Sequence, residues 1–238
     1  MKKIRVVLIQ KKLGTRVLHS EAEEIRKYKP HFVCFPEYFF VNINLGNHEQ
    51  TPHNFDRQMK RIEIFSRNFQ SVVIGGTVPE MSNGDLYNTS FVFDKGKLLG
   101  YYRKQNLFHT EFENIKSGSE YKVFTAYGIR FGVLICADVF KMESFVEMKR
   151  MGAKLIFIPT FSPKKEETVE EKYKRDNQIY VQSARLSDAV IVKVCGVKSE
   201  FKEFLQARSL IANKKEIIYR VNPDEEEKEM IIKKEIIL

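Results

Sequence analysis

Gly132-Val133-Leu134-Ile135-Cys136-Ala137-Asp138 leads into a helical pattern from Phe140 to Met151 and then into a second apolar run, Leu155 to Pro159. A short β-branched run, a helical stretch and another apolar run make a crossover unit, which joins parallel strands and lays its helix over one sheet face. Upstream the same alternation recurs: strand Ile4–Gln10, helical pattern Leu18 to Tyr28, strand Phe32–Pro36, helical pattern Phe55 to Phe69, strand Val72–Gly75. Downstream, a helical pattern from Glu166 to Ser187 precedes a strand at Ala189–Val194. The remaining strand candidates are Ser90–Phe93, Leu98–Tyr102, Ser209–Ala212 and Ile217–Val221. Asn83-Gly84-Asp85 and Asp94-Lys95-Gly96-Lys97 have the composition of hairpin turns. Crossovers and hairpins in one chain predict an α/β fold with mixed sheets covered by helices. After the charged stretch Asn222 to Lys228, the run Met230 to Leu238 reads as a final edge strand.

The chain has 238 residues, 43% of them hydrophobic, which suits one large domain over residues 1–238 with a sizeable core. No apolar run reaches the roughly 18 residues that a membrane span needs. Met1-Lys2-Lys3 passes directly into Ile4 to Ile9, too short a run for a secretory leader, so a cytoplasmic protein is expected. Cys34, Cys136 and Cys195 form no Cys-x-x-Cys pair, which agrees with a reducing compartment. The net charge of +9 raises the question of a nucleic-acid partner. Bases and acids interleave, as in Glu166 to Arg175, and this favours a solvated surface laced with ion pairs over a nucleic-acid footprint.

Three strand ends carry chemistry. The runs from Phe32, Leu98 and Gly132 end respectively in Glu37, Lys104 and Cys136. In open sheets reactive groups gather beyond the carboxyl ends of strands. A thiol attacks well only once deprotonated, so it needs a cation or a base nearby. Lys104 could be the cation and Glu37 the base: apolar surroundings raise a carboxylate's basicity and an ammonium opposes that shift. Each residue alone has a blander reading, respectively a solvated hairpin base, a surface carboxylate and, for Cys136, a core cysteine. Cys34 and Cys195 are read as core cysteines. His109 with Glu111 and Glu113 lacks a second histidine at ligand spacing, so no metal site is expected. Gly75-Gly76 lacks the Lys-Ser/Thr ending of a phosphate loop.

Taken together, the segments resemble the carbon–nitrogen hydrolase (nitrilase-like) superfamily. The matching stretches are Phe35-Pro36-Glu37-Tyr38-Phe39, Asp85-Leu86-Tyr87-Asn88-Thr89 leading to Tyr102-Arg103-Lys104, and Gly132 to Asp138. Glu111 ahead of Ser117-Gly118, Ile158-Pro159-Thr160-Phe161-Ser162 and Ala184 to Val192 support them, so the likeness covers nearly the whole chain. It implies a four-layer α-β-β-α sandwich of two mixed sheets with helices on the outer faces. It also implies Glu37 as general base, Lys104 as oxyanion stabiliser, Cys136 as nucleophile and Glu111 as a second glutamate positioning the substrate or the lysine. The Ala137 backbone N–H would join Lys104 at the oxyanion, and Tyr38, Phe39, Phe140, Thr160 and Phe161 would line the pocket. No cofactor is implied. The substrate would be a small amide or N-carbamoyl compound, and association through the helical layers would give at least a homodimer. Nitrile hydrolysis, or a non-catalytic binding module on the same fold, are the alternatives. The sequence departs from the family in Ala137, where an aromatic is common, in having no tryptophan and in a short C-terminus. These differences bear on the substrate rather than on the trio.

Overall fold

The computed structural model describes residues 2–41, 54–111, 113–162, 165–197 and 208–238. Its first sheet is built on β1 (Lys3–Gln10), β2 (Phe32–Cys34) and β3 (Val72–Ile74), all parallel. β5 (Asp85–Asp94) runs antiparallel to β3 and also pairs with β4 (Val78–Ser82) and β6 (Lys97–Arg103). β13 (Met230–Ile237) closes the other edge against β1, as the sequence predicts. In the second sheet β8 (Ile129–Val133), β9 (Leu155–Thr160) and β10 (Val190–Cys195) are parallel. β7 (Val123–Ala126) flanks them on one side, β11 (Leu210–Ala212) and β12 (Ile217–Arg220) on the other.

Strand periodicity divides the core into layers. Successive side chains of β1 point to opposite faces. Val6 and Leu8 join Phe32 and Val72 in a cluster with Phe131, Val133 and Phe157 of the second sheet. Phe32 lies 5.0 Å from Phe131 and 5.3 Å from Phe157, centroid to centroid, so the two sheets meet face to face through aromatic rings. Val7 and Ile9 instead join Ile25 of α1 (His19–Tyr28) and Ile62 of α2 (Phe55–Phe69). Over the second sheet, Met148 of α3 (Met142–Arg150) lies over Gly132, on the face that Gly132 shares with its strand partner Ile156. Beside α3 runs α5 (Gln182–Ser187), joined to α4 (Val169–Asp176) by a π-helical turn at Asn177–Val181. This is the four-layer α-β-β-α sandwich. Cys34 and Cys195 are buried. No described helix is long and apolar enough to cross a membrane.

Several boundaries differ from the sequence reading. β4 was not expected, because Pro79 argues against a strand interior; it forms an edge, where a missing N–H is tolerated. β7 and its hairpin were missed because the turn is Tyr127-Gly128, with φ of 51° and 65°, and a tyrosine there gives no turn signal. The strand expected at Gly132–Ile135 starts earlier and stops at Val133, since Ile135 already belongs to the turn that carries Cys136.

Candidate active site

Glu37 follows β2 on a tightly held turn. The Phe35 N–H donates to the Ile74 carbonyl at 3.0 Å, and the Tyr38 N–H donates to Thr77 Oγ1 at 3.1 Å. Tyr38 itself has φ of 59°, a left-handed conformation uncommon for a residue with a side chain. Gly76, at φ +61°, lies so close that an added Cβ would sit 2.1 Å from the Pro36 carbonyl oxygen. Only glycine allows that approach.

Lys104 continues β6. Its backbone N–H donates to the Asn88 carbonyl at 2.9 Å and its carbonyl accepts from Gly118 at 2.8 Å. The ammonium therefore starts from a backbone fixed on both sides. Lys104 Nζ lies 3.0 Å from Glu37 Oε1 and 2.7 Å from Glu111 Oε2. Asn88 Nδ2 donates to the remaining corner twice, at 2.9 Å to Glu37 Oε1 and 2.9 Å to Glu111 Oε1. Glu111 also accepts from the Phe108 N–H at 2.7 Å and from the Tyr38 hydroxyl at 3.2 Å.

Cys136 opens a short 3-10 turn, Cys136–Phe140, directly after the second sheet's strand, with φ of 42°. Non-glycine residues are held in this region only where surrounding structure compels it, often at functional sites. The Phe161 peptide, just past β9, links the thiol to the acid cluster. Its N–H donates to Glu37 Oε2 at 2.8 Å, and its carbonyl accepts from Cys136 Sγ at 3.4 Å. Among the described residues no backbone carbonyl accepts from the Ala137 N–H, which follows the thiol in the turn.

The electrostatics separate the two carboxylates. Burial, reinforced by the charge of Glu111, raises Glu37 above the ordinary 4.5, although Lys104 and Asn88 pull the other way. Burial would lift Glu111 too, but the Lys104 ammonium and the donors Phe108 and Asn88 outweigh it and hold Glu111 below 4.5. Two carboxylates pushed apart in this way can divide acid–base work, and Glu37 is the one suited to accept and return a proton. Burial disfavours the Lys104 cation, yet the charges of the paired Glu37 and Glu111 keep it protonated. Burial and the Glu37 charge push the Cys136 thiol well up, and Lys104 offsets only part of this. Both effects favour the thiol over the thiolate, and Glu37 is placed to take its proton.

The structure brings Glu37, Lys104 and Glu111 into one bonded cluster and places Cys136 against it through Phe161. Tyr38 and Phe161 stand together, ring centroids 6.2 Å apart, with Leu13 and Val41 beside them. Thr160 is buried at the end of β9, its hydroxyl donating to the Ile158 carbonyl at 3.1 Å. Two expected pocket residues lie elsewhere. Phe39 packs into the core beneath α2, 4.9 Å from Phe35 and 5.0 Å from Phe40, because the left-handed Tyr38 reverses the facing of the chain after it. Phe140 is 66% exposed at the far end of the 3-10 turn. Sequence reasoning gave no role to Asn88 or Asp138. Asn88 carried a usable signal, since it shares the inward register of β5 with Leu86, Ser90 and Val92 and is a buried polar residue in that row.

The chain belongs to the carbon-nitrogen hydrolase family, which it matches over residues 12–232. It is similar to the glutamine-dependent NAD(+) synthetase of Acinetobacter baylyi, 25% identical over 148 residues that cover 60% of this chain and 27% of that protein. It is also similar to omega-amidase NIT2 of Xenopus tropicalis, 33% identical over 127 residues, 47% of this chain and 46% of that protein. The matched stretches thus span less than half of these curated relatives. The crystal structure of a carbon-nitrogen hydrolase from Helicobacter pylori G27 superposes with a TM-score of 0.82 at 17% identity, covering 98% of this chain and 89% of that one. That likeness shows a shared fold.

Proposed function

We propose that residues 1–238 act as one hydrolase unit that cleaves a non-peptide C–N bond, in a small amide or an N-carbamoyl compound, through a thioester on Cys136. Glu37 takes the Cys136 proton as the sulfur adds to the substrate carbonyl carbon. The oxyanion is held by the Lys104 ammonium and the Ala137 N–H; removing one such donor typically costs about 10²–10³ in rate. Protonated Glu37 then delivers its proton to the leaving nitrogen, the C–N bond breaks, and ammonia or an amine departs. Water next gives a proton to Glu37 and attacks the thioester. The C–S bond breaks, the acid leaves, and the proton returns to sulfur.

The observation that carries this reading is the Phe161 peptide, which ties Glu37 to Cys136 and so brings base and thiol to one point. Glu111 and Asn88 keep the lysine and Glu37 in register. The free thiol agrees with a reducing, cytoplasmic setting. Self-association through the helical layer is supported by exposed Phe140, Met142 and Val146 on the 3-10 turn and α3, at 66%, 68% and 48% exposure.

Ammonia release from small amides, ω-amides and N-carbamoyl amino acids, measured for the wild type and for Cys136→Ala, tests the proposal. The wild type should turn over at least one class while folded Cys136→Ala turns over none. An equal rate in the two proteins would sink it.

A further inference from the structure

Asp138 is fully buried two residues past Cys136, and its carboxylate accepts from four donors among the described residues. Only one donor is local: the Ile135 N–H reaches Oδ2 at 2.8 Å and closes the turn that presents the thiol. The other three come from either side of Lys104. The Tyr102 hydroxyl, two residues before it, reaches Oδ2 at 2.8 Å. The Asn106 N–H and Nδ2, two residues after it, reach Oδ1 at 2.8 and 3.0 Å. Tyr102 belongs to β6 in the first sheet, whereas Ile135 and Asp138 follow β8 in the second. One carboxylate therefore fastens the residue before Cys136 to both flanks of Lys104, across the seam between the sheets.

A carboxylate that only capped the Cys136 turn would need the Ile135 contact alone. With about four acceptor sites on an ionised carboxylate, all four donors are accommodated and none is left over. An asparagine of the same shape must present an NH₂ group to one pair of these donors. We infer that Asp138 is a positioning residue that sets the approach of the Lys104 ammonium to the Cys136 sulfur across the two sheets. The inference rests on the reading of Cys136 as nucleophile and Lys104 as its electrostatic partner. Its consequence is kinetic, because misplacing a group by about 1 Å from outside the reacting centre can cost on the order of 10²-fold in rate.

Asp138→Asn tests this through kcat and KM for an amide that the wild type turns over, and through the rate of Cys136 alkylation by iodoacetamide at alkaline pH, followed by intact and peptide mass. The expected result is a kcat lower by about 10- to 100-fold with KM moved by less than about threefold, the signature of an interaction felt in the transition state. Alkylation should slow as well, and in a Lys104→Met background Asp138→Asn should slow it no further. Wild-type kcat and alkylation in folded Asp138→Asn would overturn the inference, as would a slowing that multiplies independently with that of Lys104→Met. Should Asp138→Asn fail to fold, Tyr102→Phe and Asn106→Ala each remove one donor. A lowered kcat at constant KM in both supports the inference, and wild-type kcat in both overturns it. Alkylation needs no substrate. A wild type inert toward every amide would count against the hydrolase reading, while the alkylation rates would still decide the role of Asp138.

Discussion

Lys104 Nζ stands 3.0 Å from Glu37 Oε1, and each side chain is only 2% exposed. Glu111 meets the same ammonium from its other side, so a single cation serves two buried carboxylates. Removing one member of a buried ion pair leaves uncompensated charge and costs about 3–5 kcal/mol. Lys104→Met should therefore lower the free energy of unfolding by roughly that amount, measured by urea denaturation at neutral pH. A change below about 1 kcal/mol would mean that the cluster is solvated in solution.

Glu37→Gln removes the proposed base without removing its volume. Turnover should fall by at least about 10²-fold, while the protein stays folded, because Glu111 still pairs with the Lys104 ammonium. Steady-state kinetics and a thermal melt of the same preparation check both halves.

The two carboxylates give opposite pH dependences. Glu37 has a folded value above its unfolded 4.5, so its favourable contribution is fully present below the unfolded value and is lost as pH rises through the folded one. Glu111 has a folded value below 4.5, so its contribution is present above that value and fades as pH falls through the lowered one. kcat/KM should rise with pH on a limb displaced above 4.5. Asn88 is one of the groups that hold Glu37 down, and Asn88→Ala should move this limb to higher pH. A limb that stays put or moves to lower pH would contradict that role for Asn88.

Gly76→Ala tests the turn that presents Glu37. The substituted residue would have to keep φ near +61° with its Cβ 2.1 Å from the Pro36 carbonyl, so Pro36 and Glu37 must shift. A loss of stability on the order of 1–3 kcal/mol is expected, with kcat falling more than KM rises. Unchanged kinetics in a folded variant would show that the turn adapts without moving the carboxylate.

The crossovers, the mixed sheets and the strand-end positions of the three candidate residues were legible because hydrophobic pattern exposes them, while the four-layer arrangement came from the resemblance. Each of Glu37, Lys104 and Cys136 stands just beyond an apolar run, and both glycine hairpins, with Asn83 at 52° and Lys95 at 49° in φ, formed where their composition placed them. What was missed has a different origin. The Phe161 peptide acts through its main chain, which every residue shares, so its side chain gives no hint of the contact with Glu37. Asp138 gains its partners across a sheet interface that no local pattern encodes. The resemblance put Phe39 and Phe140 in the pocket, and the left-handed residue before Phe39 and the 3-10 turn that ends at Phe140 redirect them. Periodicity cannot be carried through a break in the backbone whose φ the sequence does not announce.

The most direct measurement is acid quenching of the wild-type protein during turnover of a small amide, followed by intact mass and peptide mapping. An added mass equal to the acyl group, confined to the peptide that holds Cys136 and absent from Cys136→Ala, is the predicted result. Continued ammonia release with that peptide unmodified, or the acyl mass on Cys34 or Cys195, would contradict a thioester at Cys136.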